Sequence, residues 1–217
     1  GEEYTGEEDS IWSHNWTLSD AEAYGDGSGS RDYDGVTINN YTLQPEYNFS
    51  PGDSTIGVFC HEFGHVLGLP DLYDTYGETN GVDRWSLMGS GSWGSEDGED
   101  PAPLLAWERD WAGGSDWVAI TVLENDVNNQ NIENIDHADR EAFKIMLGNS
   151  QYLLLEGKVQ EISGSSWLVP SSGLLITHIN ENVITDTYLN NNTVNAGFNR
   201  VHGINIVEAA NSYDKEG

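Results

Sequence analysis

Cysteine is almost missing from this chain of 217 residues, in which Cys60 stands alone. No intrachain disulfide can form, which excludes a disulfide-stapled scaffold. Basic residues are scarce too, with 8 Lys and Arg against 37 Asp and Glu for a formal charge of −29. A surface this acidic repels phosphate backbones and anionic headgroups, so nucleic acid is not expected as a partner. No apolar run approaches the length that crosses a bilayer. No internal repeat is found, and neither a signal sequence nor an initiator Met is visible, so the opening at Gly1 reads as that of a mature or cut fragment. Aromatic residues, by contrast, are plentiful: 8 Trp and 10 Tyr, within 37% hydrophobic residues, are enough for a packed core. The acid excess has two readings, solubility and calcium binding by clustered carboxylates, and both can hold.

The chain divides in character near residue 113. Residues 1–35 are polar and rich in Gly, Asp and Ser around an aromatic island at 11–16, and residues 25–35 read as loop. Residues 36–47 carry β-type side chains for one or two short strands. A turn at 51–54 supplies Asp53 or Ser54 as N-cap for a helix over 55–67, whose apolar positions Ile56, Val58, Phe59, Phe63, Val66 and Leu67 predict that it is largely buried. Gly68 is placed to end it in the left-handed conformation. Residues 71–100 read as one long loop, and 101–111 as a second helix with Pro in its first turn. Beyond that, stretches at 117–123, 142–147, 152–159, 174–179 and 204–207 are strand-like. The expected organisation is a first subdomain over 1–113 and a β-rich C-terminal subdomain of the same unit over 114–217.

The chemistry concentrates in one short segment. His61 and His65 lie four apart, so a helix aims both imidazoles to one side. Two such nitrogens are half of a tetrahedral zinc set. Glu62, beside the first histidine, can reach a zinc-activated water and accept its proton. The third protein ligand has four candidates downstream: Asp71, Asp74, Glu78 and Asp83. Spacing favours Asp71, because Gly68 lets the chain turn and Pro70 stiffens its return, giving H-E-x-x-H-x-x-G-x-x-D. Met88, in the segment 86–90, is placed for a turn beneath such a site, although a core Met would look the same. Two histidines satisfied in a core would leave the buried Glu62 without purpose. Cys60 points about 100° away from His61 on a helix and reads as a small core residue. His14, His137, His178 and His202 are scattered and read as structural or exposed, with His178 and His202 the two that could line a cleft. The Asn-x-Ser/Thr triplets at Asn15, Asn40, Asn48 and Asn191 read as incidental.

The segment 57–75, GVFCHEFGHVLGLPDLYDT, resembles the active-site stretch of the M6 metallopeptidases, the immune-inhibitor-A-like family. Residues 9–14, 41–47, 85–93, 152–156, 173–179 and 203–209 resemble further pieces of that family in order. The resemblance implies an α+β fold: a metzincin-like zinc peptidase core with an active-site helix and Met-turn, followed by the β-rich subdomain. It implies a secreted, extracellular bacterial-type zinc endopeptidase acting on protein and peptide substrates. His61, His65 and Asp71 would be the ligands, Glu62 the general base and acid, and calcium a structural ion. Ser90 stands two residues after Met88, where some metzincins carry Tyr, so the resemblance does not name an oxyanion donor. An extended substrate is expected to pair with a strand edge within 36–43. The alternative is an inactive, calcium-stabilised binding or adhesion module on a peptidase fold, against which the intact Glu62 argues.

Overall fold

The structure is a computed structural model that describes residues 10–25, 29, 31–47, 50–94, 96–126, 128–136, 140–160, 162–163, 166–167, 169–198 and 200–207. The expectations placed on residue 9, Asn48, His137 and residues 208–209 lie outside the described residues, as does the side chain of Glu96. Helices and strands both occur, which is the α+β class.

The first half departs from its polar, loop-like sequence. The aromatic island contains β1 (His14–Thr17), which pairs antiparallel with β4 (Asn40–Leu43), His14 opposite Leu43. Thr17 then caps α1 (Leu18–Ala23): its Oγ1 accepts from the Asp20 backbone N–H at 3.0 Å. Residues 25–35 are not all loop either, since β2 (Arg31–Tyr33) forms a hairpin with β3 (Val36–Ile38). Asp34 and Gly35 turn it with φ of 51° and 82°, the left-handed geometry that an Asp-Gly pair supplies.

The expected helix is α2 (Ile56–Val66), beside β1 and β4. Its N-cap is Thr55, not Asp53 or Ser54. Asp53 instead accepts from the Ser50 backbone N–H and closes the preceding turn. The helix is also less buried than predicted. Gly57, Val58, His61, Glu62 and Gly64 face inward, while Ile56, Phe59 and Phe63 are 56, 43 and 57% exposed. Their spacing puts these three on the opposite side from the buried set, so the apolar residues do not mark one buried face. Gly68, at φ +86°, ends the helix: its N–H reaches the His65 carbonyl at 2.9 Å, and the Leu69 N–H reaches Gly64 at 3.1 Å. That is the Schellman pattern, which folds the chain back over its own last turn.

The described residues of 71–100 form a string of turns with three short 3₁₀ segments at Asp83–Trp85, Ser90–Trp93 and Glu96–Gly98. The second helix, α3 (Ala106–Gly113), starts five residues later than predicted. Asp100 and Ala102 each precede a proline, which disfavours helical backbone there. The N-cap is Leu105, whose N–H donates to the Glu108 carboxylate at 2.5 Å.

The second half is β-rich as predicted. One five-stranded sheet runs in the order β11-β10-β7-β6-β5. It comprises β5 (Ala119–Val122), parallel to β6 (Glu141–Gly148), then β7 (Gln151–Lys158), β10 (Gly173–Asn180) and β11 (Ile204–Ile206), all antiparallel. A short hairpin, β8 (Ile162–Ser163) with β9 (Ser166–Trp167), lies between β7 and β10, and α4 (Asp186–Asn190) lies between β10 and β11. One apolar core joins the halves: Leu72, Met88, Leu105 and Trp107 belong to the same buried cluster as Ile135, Leu154, Ile179 and Ile204.

Beneath α3 the core is charged. Ser86 Oγ donates to Glu108 at 2.6 Å, and Ser86 in turn accepts from the Met88 N–H at 2.9 Å. The Ala106 N–H donates to Glu156 at 2.6 Å, so two buried carboxylates meet the positive end of this helix. Lys158 lies 3.6 Å from Glu156 and 3.7 Å from Asp136, which Arg109 also contacts. None of the helices among the described residues is long and apolar enough to cross a membrane.

Candidate metal centre

Helical spacing brings His61 and His65 together, their ring centroids 4.9 Å apart. The Schellman turn at Gly68 then returns Asp71 to them. Its Oδ1 lies 3.0 Å from His61 Nε2 and 3.4 Å from His65 Nε2. The three candidate ligand atoms fall within 4.8 Å of one another, and no other group of three such side chains converges among the described residues.

The far nitrogen of each ring is engaged. His61 Nδ1 meets the Leu87 carbonyl at 2.9 Å, and His65 Nδ1 meets the Leu69 carbonyl at 2.8 Å. A carbonyl only accepts, so each Nδ1 carries the proton and each Nε2 presents a lone pair. Two lone pairs therefore face a carboxylate oxygen that is itself buried and has no hydrogen-bond donor. A cation between them relieves that conflict, and two imidazoles with one carboxylate form a donor set that suits zinc. Without an ion, a proton must serve. Burial pushes the Asp71 carboxyl up, yet the histidines hold it well below the usual carboxylate range. His65 moves up although burial works against it, because Asp71 hydrogen-bonds to it and attracts its charged form.

The rival third ligands are engaged elsewhere. Asp74 accepts backbone N–H bonds from Gly197 at 2.7 Å, Thr79 at 2.8 Å, Tyr76 at 2.9 Å and Glu78 at 3.0 Å. Burial would raise its carboxyl, but these bonds bring it down to about 2. Glu78 accepts from the Phe198 N–H at 2.9 Å, and Asp83 from Ser90 Oγ at 2.9 Å.

Glu62 is 6% exposed and lines the same cavity as His61, His65 and Asp71, a cleft of about 720 Å³. Burial pushes its carboxyl up, and the two histidines pull it partly back. Met88, 0% exposed, packs beneath the helix at Gly64, where a β-carbon would come within 2.4 Å of its sulfur. The turn around it also orients His61, since Leu87 supplies the carbonyl that meets its Nδ1.

Sequence reading missed several residues here. Tyr73 stacks on His61, ring centroids 6.1 Å apart. It lies two residues past Asp71, and that proximity was the available signal. Asn192 hydrogen-bonds Asp71 from 121 residues away, with no local signal at all. Residues 12–15 line the cleft, whereas 36–43 are not among its lining residues: β3 pairs with β2, and β4 pairs with β1 in the sheet that borders it. His14 is among the lining residues. His178 and His202 are not, and bond to Gln151 and to Asn205 and Gly197 respectively. Cys60 is half-buried, outside the ligand group, and burial pushes its thiol up.

The sequence model of the immune inhibitor A peptidase M6 catalytic domain matches residues 1–118. Immune inhibitor A of Bacillus thuringiensis subsp. alesti is 31% identical over 146 residues, covering 63% of this chain and 20% of that protein. The pre-pro-metalloprotease PrtV of Vibrio cholerae serotype O1 (strain M66-2) is 36% identical over 110 residues, covering 49% of this chain and 12% of that protein. The chain thus matches a fifth or less of the length of these relatives. No solved structure gives a significant match.

Proposed function

Because the chain belongs to the immune inhibitor A peptidase M6 family, we propose that it is the catalytic part of a secreted, extracellular zinc endopeptidase of metzincin type. His61, His65 and Asp71 hold the ion, Glu62 moves the proton, and the segment 86–90 is the Met-turn. One observation carries the ligand assignment: a buried, donorless Asp71 oxygen faces two imidazole nitrogens whose partners fix them as lone-pair donors. The two halves, 1–113 and 114–217, are read as one catalytic unit because they share a core.

Bound zinc supplies a Lewis acid that acidifies water and polarises the scissile carbonyl. Glu62 accepts the proton of the attacking water and delivers it to the leaving amine. Its buried setting raises its proton affinity, which suits a group that must both take and give a proton. Trp12 to Asn15 lie along the cleft, and β1 has one unpaired edge in its two-stranded sheet among the described residues. An extended peptide binds there by adding a strand. The named metalloprotease among the relatives supports protein as the substrate class.

The test is Glu62→Gln. The variant keeps zinc at wild-type stoichiometry and loses casein hydrolysis, because Gln cannot accept the proton. Cleavage at the wild-type rate would sink the assignment. Wild-type protein with zinc below stoichiometry and no turnover would favour the inactive-module alternative.

A further inference from the structure

The third ligand is not held by its own loop. The connection between β10 and β11 carries α4 and then runs back across residues 71–79. Asn192 lies there, beyond the stretch that the family model matches, and it grips Asp71 twice. Its Oδ1 accepts from the Asp71 backbone N–H at 2.6 Å, and its Nδ2 donates to Asp71 Oδ2. The amide orientation is fixed, since a flipped group would set oxygen against carboxylate and N–H against N–H. Holding Oδ2 leaves Oδ1 as the atom that faces His61 and His65.

The grip is itself braced. Asn192 has φ +53°, a left-handed conformation that Asn tolerates better than most residues. Its carbonyl accepts from Thr75 Oγ1 at 3.2 Å, and its N–H reaches Leu189 at 3.0 Å. Asn195 Nδ2 donates to the Leu72 carbonyl at 3.0 Å, and the Gly197 and Phe198 N–H groups bind Asp74 and Glu78. The strap 192–198 is therefore fastened to the loop carrying Asp71 at both ends. The same connection lines the cleft through Leu189 and Asn190 of α4 and through Asn192.

We propose that Asn192 is a positioning residue that fixes the Asp71 carboxylate for one-oxygen ligation, so that the β10–β11 strap completes the metal centre. This rests on the ligand assignment made above. Outer partners of ligating groups typically contribute 10–100-fold in metal affinity.

The experiment measures the zinc dissociation constant of the full chain by competition with a chromophoric chelator. Wild type is compared with Asn192→Asp, Asn192→Gly and Asp71→Ala, and each metal-free protein is melted in parallel. Asn192→Asp keeps the shape but replaces the donor with a like charge. Asn192→Gly removes the grip and keeps the left-handed backbone accessible. Both are expected to weaken zinc roughly 10–100-fold and to shift the visible absorption of the cobalt-substituted protein. If Asp71→Ala loses zinc while both Asn192 variants bind it within about twofold of wild type, the proposal falls and the ligand assignment stands. That holds even if the variants melt lower, because a purely structural strap would lower melting alone. If Asp71→Ala binds zinc as wild type does, the assignment and this proposal fall together.

Discussion

Glu108 sits at 0% exposure under the turn that carries Met88, and its charge should control stability. Burial raises its carboxyl most, hydrogen bonds from Ser86 and Leu105 lower it, and the charge of Glu156 raises it again, to about 7. An unfolded Glu titrates near 4.5. The folded state therefore binds this proton more tightly than the unfolded state. The resulting stabilisation is full below about pH 4.5 and is lost as pH rises to about 7. At 1.36 kcal/mol per pKa unit, the loss is about 3 kcal/mol. Glu156 is displaced the same way by burial and adjoins Glu108, so the wild-type slope belongs to the pair. Glu108→Gln removes one member and keeps an oxygen for the Leu105 N–H. Lost or altered hydrogen bonds add an offset that does not vary with pH. Urea unfolding of the metal-free proteins from pH 4.5 to 8 reads the difference, and the titration of Asp71 and His65 cancels between them. Stability of the variant relative to wild type should climb by about 3 kcal/mol across that range. A relative stability that is flat in pH refutes the reasoning.

Gly64→Ala should lower the melting temperature, because the added methyl meets the Met88 sulfur at 2.4 Å. Overpacking of that kind costs about 1–3 kcal/mol and outweighs the helix-propensity gain of about 1 kcal/mol. Adding Met88→Val removes the opposing sulfur, so the double variant should be more stable than the two single changes sum to, and simple additivity would count against the contact. Calcium, if it stabilises the acidic loops at 71–83 and 96–100, should raise the melting temperature of zinc-loaded protein. An unchanged melt after selective calcium chelation removes that part of the reading.

What could be read beforehand was local. The i, i+4 histidines, the glycine that ends α2 and the return to Asp71 all lie within eleven residues, and helix geometry alone relates them. The strands of the second half were legible for a similar reason, since apolar runs broken by Asn, Gly and Ser turns report on each strand separately. Errors arose where a local signal was outweighed or overlooked. The prolines at 101 and 103 delayed α3, and the apolar residues of α2 overstated its burial. The Asp34-Gly35 hairpin signal and the Thr17 cap were present and unread.

The least legible features are those where two distant segments share one job. Asp74, Glu78 and Asp83 competed with Asp71 as carboxylates after a histidine pair, and spacing favoured Asp71. Their partners separate them further. Asp74 and Glu78 accept N–H groups from residues 197 and 198, and Asp83 accepts from Ser90, while Asp71 alone keeps an oxygen for the histidines. The pairing of β10 with β11 brings that distant strap to the loop: the register Ile179 opposite Ile204 closes the connection, and Gly203 and Val194 bond at 2.8 Å inside it. Sheet register more than a hundred residues downstream thus sets the partners of Asp71, Asp74 and Glu78, while Asp83 is held locally by Ser90. The sheet therefore helps determine which acid faces the two histidines, and a site described by the histidine motif alone omits the segment that grips Asp71.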